Sequence, residues 1–336
     1  MNSPLARRIF VAGHRGMAGS ALVRRLETKG YRNLITRTRQ ELDLLDQPAV
    51  ARFMQEERPD YIFLAAAKVG GIQANSCYGA DFLYQNLAIE LNVMHGAFGA
   101  GVKDLMFLGS SCIYPRDCPQ PMREEYLLTG PLEPTNEPYA IAKIAGIKLA
   151  EAYNLQHGTR YVSVQPTNLY GPNDNYDLET GHVLPALLRK AHDARARGDR
   201  VLSVWGSGRP RREFLHVDDM ADACVHLMER DVTDGLYNIG CGADVTIREL
   251  AETIMDVVGF TGRLEFDAAK PDGAPRKLLE VSKLAALGWR PRIGLSEGIA
   301  AVYRSYCQSH QSARNAGNTG SISSIGSPGP GGERRP

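Results

Sequence analysis

Near its start the chain reads Arg8-Ile9-Phe10-Val11-Ala12-Gly13-His14-Arg15-Gly16-Met17-Ala18-Gly19, an apolar run entering a G-x-x-G-x-x-G turn. A strand over 8–12, the glycine turn and a helix through Lys29 together make an anion site. Glycines let the backbone approach a pyrophosphate, and the first turn of the helix offers free N–H groups. The same pattern also serves a tight strand–helix turn with no ligand. What decides between them is the rest of the chain. Further apolar strands are expected at 33–36, 61–66, 103–108 and 161–165, each followed by a helix. That alternation predicts an α/β fold with a Rossmann-type doubly wound parallel sheet, covered on both faces.

Each strand ends in residues suited to a ligand passing over the sheet. The second runs into Arg37-Thr38-Arg39-Gln40, with no acid until Glu41. Arginine there suits a 2′-phosphate and hence NADP, where an acid would suit NAD; a solvated basic turn is the other reading. Asp43 is then placed to meet the adenine. The third strand ends in Ala67-Lys68-Val69-Gly70-Gly71, the fourth in Gly109-Ser110-Ser111-Cys112-Ile113-Tyr114, and the fifth in Pro166-Thr167-Asn168-Leu169-Tyr170-Gly171-Pro172.

Asn136-Glu137-Pro138-Tyr139-Ala140-Ile141-Ala142-Lys143 opens a helix reaching Ala152, with Pro138 suited to its first position. Tyr139 and Lys143 lie one turn apart on one face. An ammonium beside a phenol favours the phenolate, so Tyr139 is expected to titrate below its model value of about 10. The spacing alone also arises by chance on surface helices.

Beyond residue 172 the pattern loosens. A polar loop at 173–176 precedes Gly181-His182-Val183-Leu184-Pro185, which opens a helix to Ala196. A strand is expected at 201–205, then the basic cluster Arg209, Arg211 and Arg212. Asp218-Asp219 reads as an N-cap with first-turn acid on a helix to Glu229. A strand follows at 236–239. Thr246 and Glu249 form a capping box on a helix to Val258, and short helices continue to about Ser309. The expected division is a nucleotide-binding domain over 1–172, with 214–240 returning to it, and a smaller C-terminal α/β substrate domain from 173–213 and 241–310. Residues 311–336, rich in Ser, Gly, Asn and Arg, are expected to be a disordered tail.

Across 336 residues the charges nearly cancel, at +1 net, so neither nucleic acid nor an anionic membrane is implied as a partner. No apolar run is long enough to span a bilayer, and no signal-peptide core precedes the first strand. Six cysteines without a C-x-x-C pair fit free thiols in a reducing cytoplasm, with neither a disulfide nor a metal framework.

These motifs resemble the extended short-chain dehydrogenase/reductase family. The glycine turn, Ser110 and the Tyr139/Lys143 pair carry the general likeness. The runs 65–71, 109–115, 133–139 and 166–172 are similar to its branch of epimerase–reductases acting on GDP-4-keto-6-deoxy-D-mannose, and the likeness covers about residues 7–309. It implies NADPH-dependent inversion at C3 and C5, reduction at C4, and a homodimer built on the long helices at Ala80 and Tyr139. Ser110, Tyr139 and Lys143 would be the reductase triad, and Cys112 and His182 the epimerase acid/base pair, acting as thiolate and imidazolium. Cofactor contacts would fall on Gly13, His14, Arg15, Gly16, Met17, Ala18, Gly19, Arg39, Leu108, Gly109, Ser110, Ser111, Lys143, Pro166, Thr167, Asn168, Leu169 and His182. GDP-sugar contacts would fall on Trp205, Arg212 and Asp272, and on Lys190 where the family often has an arginine. Rival readings are another NAD(P)-dependent nucleotide-sugar epimerase or dehydratase, and a non-catalytic NADP sensor. A dehydratase would want acids beside the serine, where this chain has Cys112, and a sensor would have no use for a proton donor such as Tyr139.

Overall fold

The computed structural model describes residues 4–270 and 272–319. After a 3₁₀ turn at Pro4–Ala6, its strands are β1 (Ile9–Ala12), β2 (Leu34–Ile35), β3 (Tyr61–Leu64), β4 (Asp104–Leu108), β5 (Arg160–Pro166), β6 (Asn168–Tyr170), β7 (Val201–Trp205), β8 (Arg211–His216), β9 (Leu236–Ile239), β10 (Asp244–Thr246), β11 (Arg263–Asp267) and β12 (Arg276–Lys277). Its helices are α1 (Met17–Thr28), α2 (Gln47–Glu57), α3 (Ile72–Cys77), α4 (Gly79–Gly99), α5 (Glu137–His157), α6 (Val183–Arg197), α7 (Val217–Glu229), α8 (Ile247–Val258), α9 (Ser282–Ala286) and α10 (Leu295–Thr319).

Six parallel strands form the main sheet in the order β2-β1-β3-β4-β5-β9. Side chains alternate across it, as pleating requires. Ile9 and Val11 of β1 face a core shared with Leu22 and Leu26 of α1 and Met220 and Leu227 of α7. Phe10 and Ala12 face the opposite core, with Val50 of α2, Val93 of α4 and Ile147 of α5. The strand order reverses between β1 and β3, the place where a doubly wound sheet leaves a crevice. There the chain is packed tightly. Gly13 has φ +85°, and a Cβ on it would stand 2.8 Å from Ala66 N and Cα. A Cβ on Gly19 would stand 2.2 Å from Gly13 O.

The smaller part centres on β8, which pairs with β6 and β12 in parallel and with β10 antiparallel. Beside it β7 and β11 form a two-stranded parallel sheet. Leu184 and Leu188 of α6, Leu250 and Ile254 of α8, and Ile299 and Val302 of α10 share its core. The divide differs from the expected one. The chain leaves the main sheet after Pro166, since β6 already belongs to the second sheet, and Leu215 of β8 is back in the main core beside α7. Arg211 and Arg212 of the basic cluster lie within the paired strand β8. Arg211 and Arg276 both pair with Asp244, which ties β8 to β10 and β12.

Two smaller expectations also change. The α7 cap is His216, whose Nδ1 accepts from Asp218 N at 3.2 Å. Asp218 and Asp219 do supply acid to the first turn, as expected, and Asp218 pairs with Arg24 at 2.5 Å. Helix α10 continues to Thr319, past the expected end at about Ser309, with no proline to interrupt it before residue 328. Residues 320–336 of the expected disordered tail lie outside the described residues. No helix among the described residues is long and apolar enough to cross a membrane.

Glu213, fully buried on β8, holds the two parts together: Oε1 accepts from Gly242 N at 2.7 Å and Oε2 from Leu279 N at 3.0 Å. Glu213→Met should leave both N–H groups unpaired and lower the unfolding free energy by about 2–6 kcal/mol, read from urea denaturation. A loss under about 1 kcal/mol would show that these backbone groups do not depend on the carboxylate.

Candidate active site

A cleft of about 630 Å³ runs over the C-terminal ends of β1, β3, β4 and β5. Gly13, Gly16, Met17, Ala18 and Gly19 line it from the first turn, and Arg39 and Asp43 from the end of β2. Leu108, Gly109, Ser110 and Ser111 line it from β4, and Pro166, Thr167, Asn168 and Leu169 from β5. Tyr139, Lys143 and His182 complete the wall. His14 and Arg15 are not part of this lining. In a turn this tight only some residues between the glycines can face the crevice.

The two arginines after β2 differ. Arg37 is engaged, donating to Thr36 O and pairing with Glu57 while its guanidinium lies over the Phe53 ring. The Arg39 side chain is 70% exposed and has a contact with Asp43 at 3.6 Å. It is the one of the two with donors to spare for a 2′-phosphate. The close-packed glycine turn, the first turn of α1 and Arg39 fit a phosphorylated dinucleotide.

Lys143 lies on the buried side of α5, 1% exposed. Its Nζ donates to Leu108 O at 3.0 Å and stands 3.1 Å from Glu90 Oε1. The Tyr139 ring centroid is 5.8 Å from Nζ. This corrects the expected effect on the phenol. Burial of the hydroxyl, then the charges of Cys112 and Glu90, hold the Tyr139 phenol well above its usual range, and a hydrogen bond from Ser110 opposes them. The Lys143 ammonium is engaged by Glu90 and Leu108 O. Pro138 occupies the second helical position of α5, because Glu137 already belongs to the helix.

Ser110 is set by Gln165, whose Oε1 accepts from Ser110 N at 2.6 Å. Gly109 makes room, since a Cβ there would lie 2.2 Å from that oxygen. Gln165 escaped the sequence reading; its signal is a buried amide in the apolar strand Tyr161-Val162-Ser163-Val164-Gln165.

Cys112 sits in the 3₁₀ turn Ser111–Ile113, capped by Ser110 Oγ, which accepts from Cys112 N at 3.4 Å. Burial raises its thiol above the usual range, against the hydrogen bond from Ser110 and the charges of Lys277 and Lys143. His182 caps α6 and is presented by the loop at 173–181. Asp177 knots that loop by accepting from Thr180 N at 2.9 Å, and Thr180 O accepts from Gly71 N at 2.8 Å. A Cβ on Gly71 would stand 2.7 Å from Gly181 O, so this glycine lets the histidine loop cross. His182 stays open to solvent at the cleft wall, and the protein packed behind it lowers the pKa of its imidazole. Both shifts favour thiol and neutral imidazole over the expected thiolate and imidazolium. The two descriptions carry the same number of protons.

The residues expected to meet the GDP-sugar lie beyond this cleft, on the second part. Trp205 ends β7 and is 46% exposed, with Lys190 Nζ of α6 at 4.8 Å and Lys270 Nζ at 5.2 Å from its ring centroid. Arg212 on β8 is desolvated, which lowers its pKa against the charges of Asp272 and Glu133. Asp272 is committed to the neighbouring turn, accepting from Ser207 N at 2.6 Å and Ser207 Oγ at 2.7 Å. Lys277 of β12 stands opposite Arg212 in the register, and its charge acts on Cys112 and Arg212 alike. It links the two clusters, and no motif marked it. Among the described residues no group of His, Cys, Asp and Glu could hold a metal ion, and the six cysteines are free.

The chain is similar to known proteins over most of its length. The model of the NAD dependent epimerase/dehydratase family matches residues 9–240. The chain is 58% identical to the putative GDP-L-fucose synthase 2 of Arabidopsis thaliana, over 90% of this chain and 92% of that protein. It is 57% identical to the GDP-L-fucose synthase of Escherichia coli K12, over 90% and 97%. A GDP-L-fucose synthetase from Naegleria fowleri, solved with NADP bound, superposes with a TM-score of 0.82 at 28% identity, covering 91% of this chain and 95% of that one.

Arg39→Ala should weaken NADPH binding by about 10- to 150-fold, the worth of a charge-assisted hydrogen bond, and leave NADH binding nearly unchanged. Fluorescence titration with both cofactors checks this. Equal loss for both would remove Arg39 from the 2′-phosphate site.

Proposed function

Since the chain belongs to the NAD dependent epimerase/dehydratase family, we propose that it converts GDP-4-dehydro-6-deoxy-D-mannose to GDP-L-fucose by inversion at C3 and C5 and reduction at C4. NADPH, when bound in the cleft, supplies the hydride. The observation that carries this reading is that one continuous wall presents Ser110, Tyr139, Lys143 and His182, with Cys112 two residues beyond Ser110. Relatives at 57–58% identity named for the same reaction support it.

A ketone at C4 acidifies the protons on C3 and C5. Inverting each centre needs a base on one face of the ring and an acid on the other. The Cys112 thiol and His182 imidazole reach that state by passing one proton between them. Lys277 and Lys143 favour the thiolate so formed. Ser110 and Tyr139 donate hydrogen bonds to the C4 oxygen, where negative charge develops during both half-reactions. Tyr139 then protonates that oxygen in the reduction. Arg212 pairs with the diphosphate, and Trp205 packs on a sugar or base face beside Lys190. Asp272 acts by fixing the turn at 206–208. Lys190 supplies charge without the bidentate fork of an arginine. The two parts of the chain serve as nucleotide and substrate units. A homodimer would use the outer faces of α4 and α5, where Tyr84, Leu91 and Leu155 are exposed, and the absence of disulfides suits the cytoplasm.

The two chemistries should separate by mutation. Cys112→Ser should slow carbon deprotonation by about 10²–10⁴-fold and give product not inverted at both centres, with NADPH still slowly consumed. Tyr139→Phe should still admit solvent deuterium at C3 or C5 while NADPH oxidation nearly stops. NMR of the sugar alongside NADPH absorbance checks both. Wild-type exchange at both carbons in Cys112→Ser would make Cys112 a small buried side chain and end the epimerase half of the proposal.

A further inference from the structure

Helix α4 buries a carboxylate that the reaction as written does not use. Glu90 is 1% exposed, and Oε1 lies 3.1 Å from Lys143 Nζ. Apart from that ammonium, neither oxygen has a hydrogen-bond partner. Space for it is made on α5, where a Cβ on Gly146 would stand 2.7 Å from Glu90 Oε2 and 2.6 Å from Phe107 Cζ. Phe107 turns its ring toward the ammonium, with Nζ 4.6 Å from the centroid. Lys143 is thus boxed by Glu90, the Leu108 carbonyl and Phe107.

A buried ion pair with unmet lone pairs is a poor device for stability, because apolar replacements of such pairs are often neutral or stabilising. Its consequence is to be sought in the site. We propose that Glu90 is a positioning residue of the reductase: by holding Lys143 against the Leu108 carbonyl, it brings Tyr139 to the reaction as a proton donor and not as a phenolate. The charged and titratable groups acting on the phenol are Glu90 from α4, Lys143 on its own helix and Cys112 from the 3₁₀ turn, with Lys277 acting in turn on Cys112. Glu90 opposes ionisation twice, by its own negative field and by drawing the lysine charge toward itself. It thereby offsets the effect that a Tyr-x-x-x-Lys pair would have alone, and leaves an acid able to protonate the C4 oxygen as that oxygen takes up hydride.

This inference rests on the reductase reading of Tyr139, and its test is built to fail separately. In Glu90→Gln and Glu90→Met the ultraviolet phenolate signal of Tyr139 is obtained by subtracting the same variant carrying Tyr139→Phe. The phenol should titrate about one to two pH units lower than in the parent. The alkaline fall of kcat should move down with it, while KM for the GDP-sugar stays put. An unmoved phenol titration in both variants overturns the proposal, whatever happens to Tm. So does failure of both variants to fold, which would make Glu90 a structural residue. The titration needs no turnover, whereas a wrong reductase reading would show as undiminished NADPH oxidation in Tyr139→Phe.

Discussion

A lysine that is 1% exposed must be paired or lose its charge, and the demands of Lys143 organise the site. Its ammonium is met by a backbone carbonyl at the end of β4 and by Glu90 from the neighbouring helix. Those two contacts set α5 against both β4 and α4. Tyr139, one turn earlier, is carried to the cleft by the same constraint. Gly146, one turn later, lets Glu90 and Phe107 come close enough to do it. Packing and chemistry are therefore coupled through one buried charge.

The remaining groups are placed by similar close approaches. Gly13 lies on Ala66 and shapes the floor of the crevice. Gly109 lies on Gln165 and turns Ser110. Gly71 lies under the loop that presents His182. In each case a missing side chain lets a strand end or a loop pass near its neighbour, and a reacting group follows. This explains how residues from widely separated stretches of chain line one cleft.

Much of this was legible in the sequence. Apolar strands ending in glycine and serine gave the doubly wound sheet, because a parallel sheet covered on both faces leaves a plain hydrophobic signal. Thr246 and Glu249 gave their capping box, which the structure contains. The second part was harder. Arg211 and Arg212 read only as part of a basic cluster, yet with Glu213 they form a strand whose polar groups meet Asp244 and two backbone N–H groups. Those partners are 29 to 66 residues away along the chain. Gln165, Glu90 and Lys277 were missed for the same reason, since each acts through a partner that only the fold supplies. The state of Tyr139 was misjudged because a two-residue spacing on one helix does not reveal a carboxylate on the next.

The central claim is that one cleft carries proton exchange at two carbons and hydride delivery to a third. Wild-type protein turning over GDP-4-dehydro-6-deoxy-D-mannose with unlabelled NADPH in D₂O tests it in a single proton NMR spectrum. The account predicts a GDP-L-fucose carrying deuterium at C3 and C5 and protium at C4. Protium retained at C3 and C5, or deuterium at C4, would contradict it.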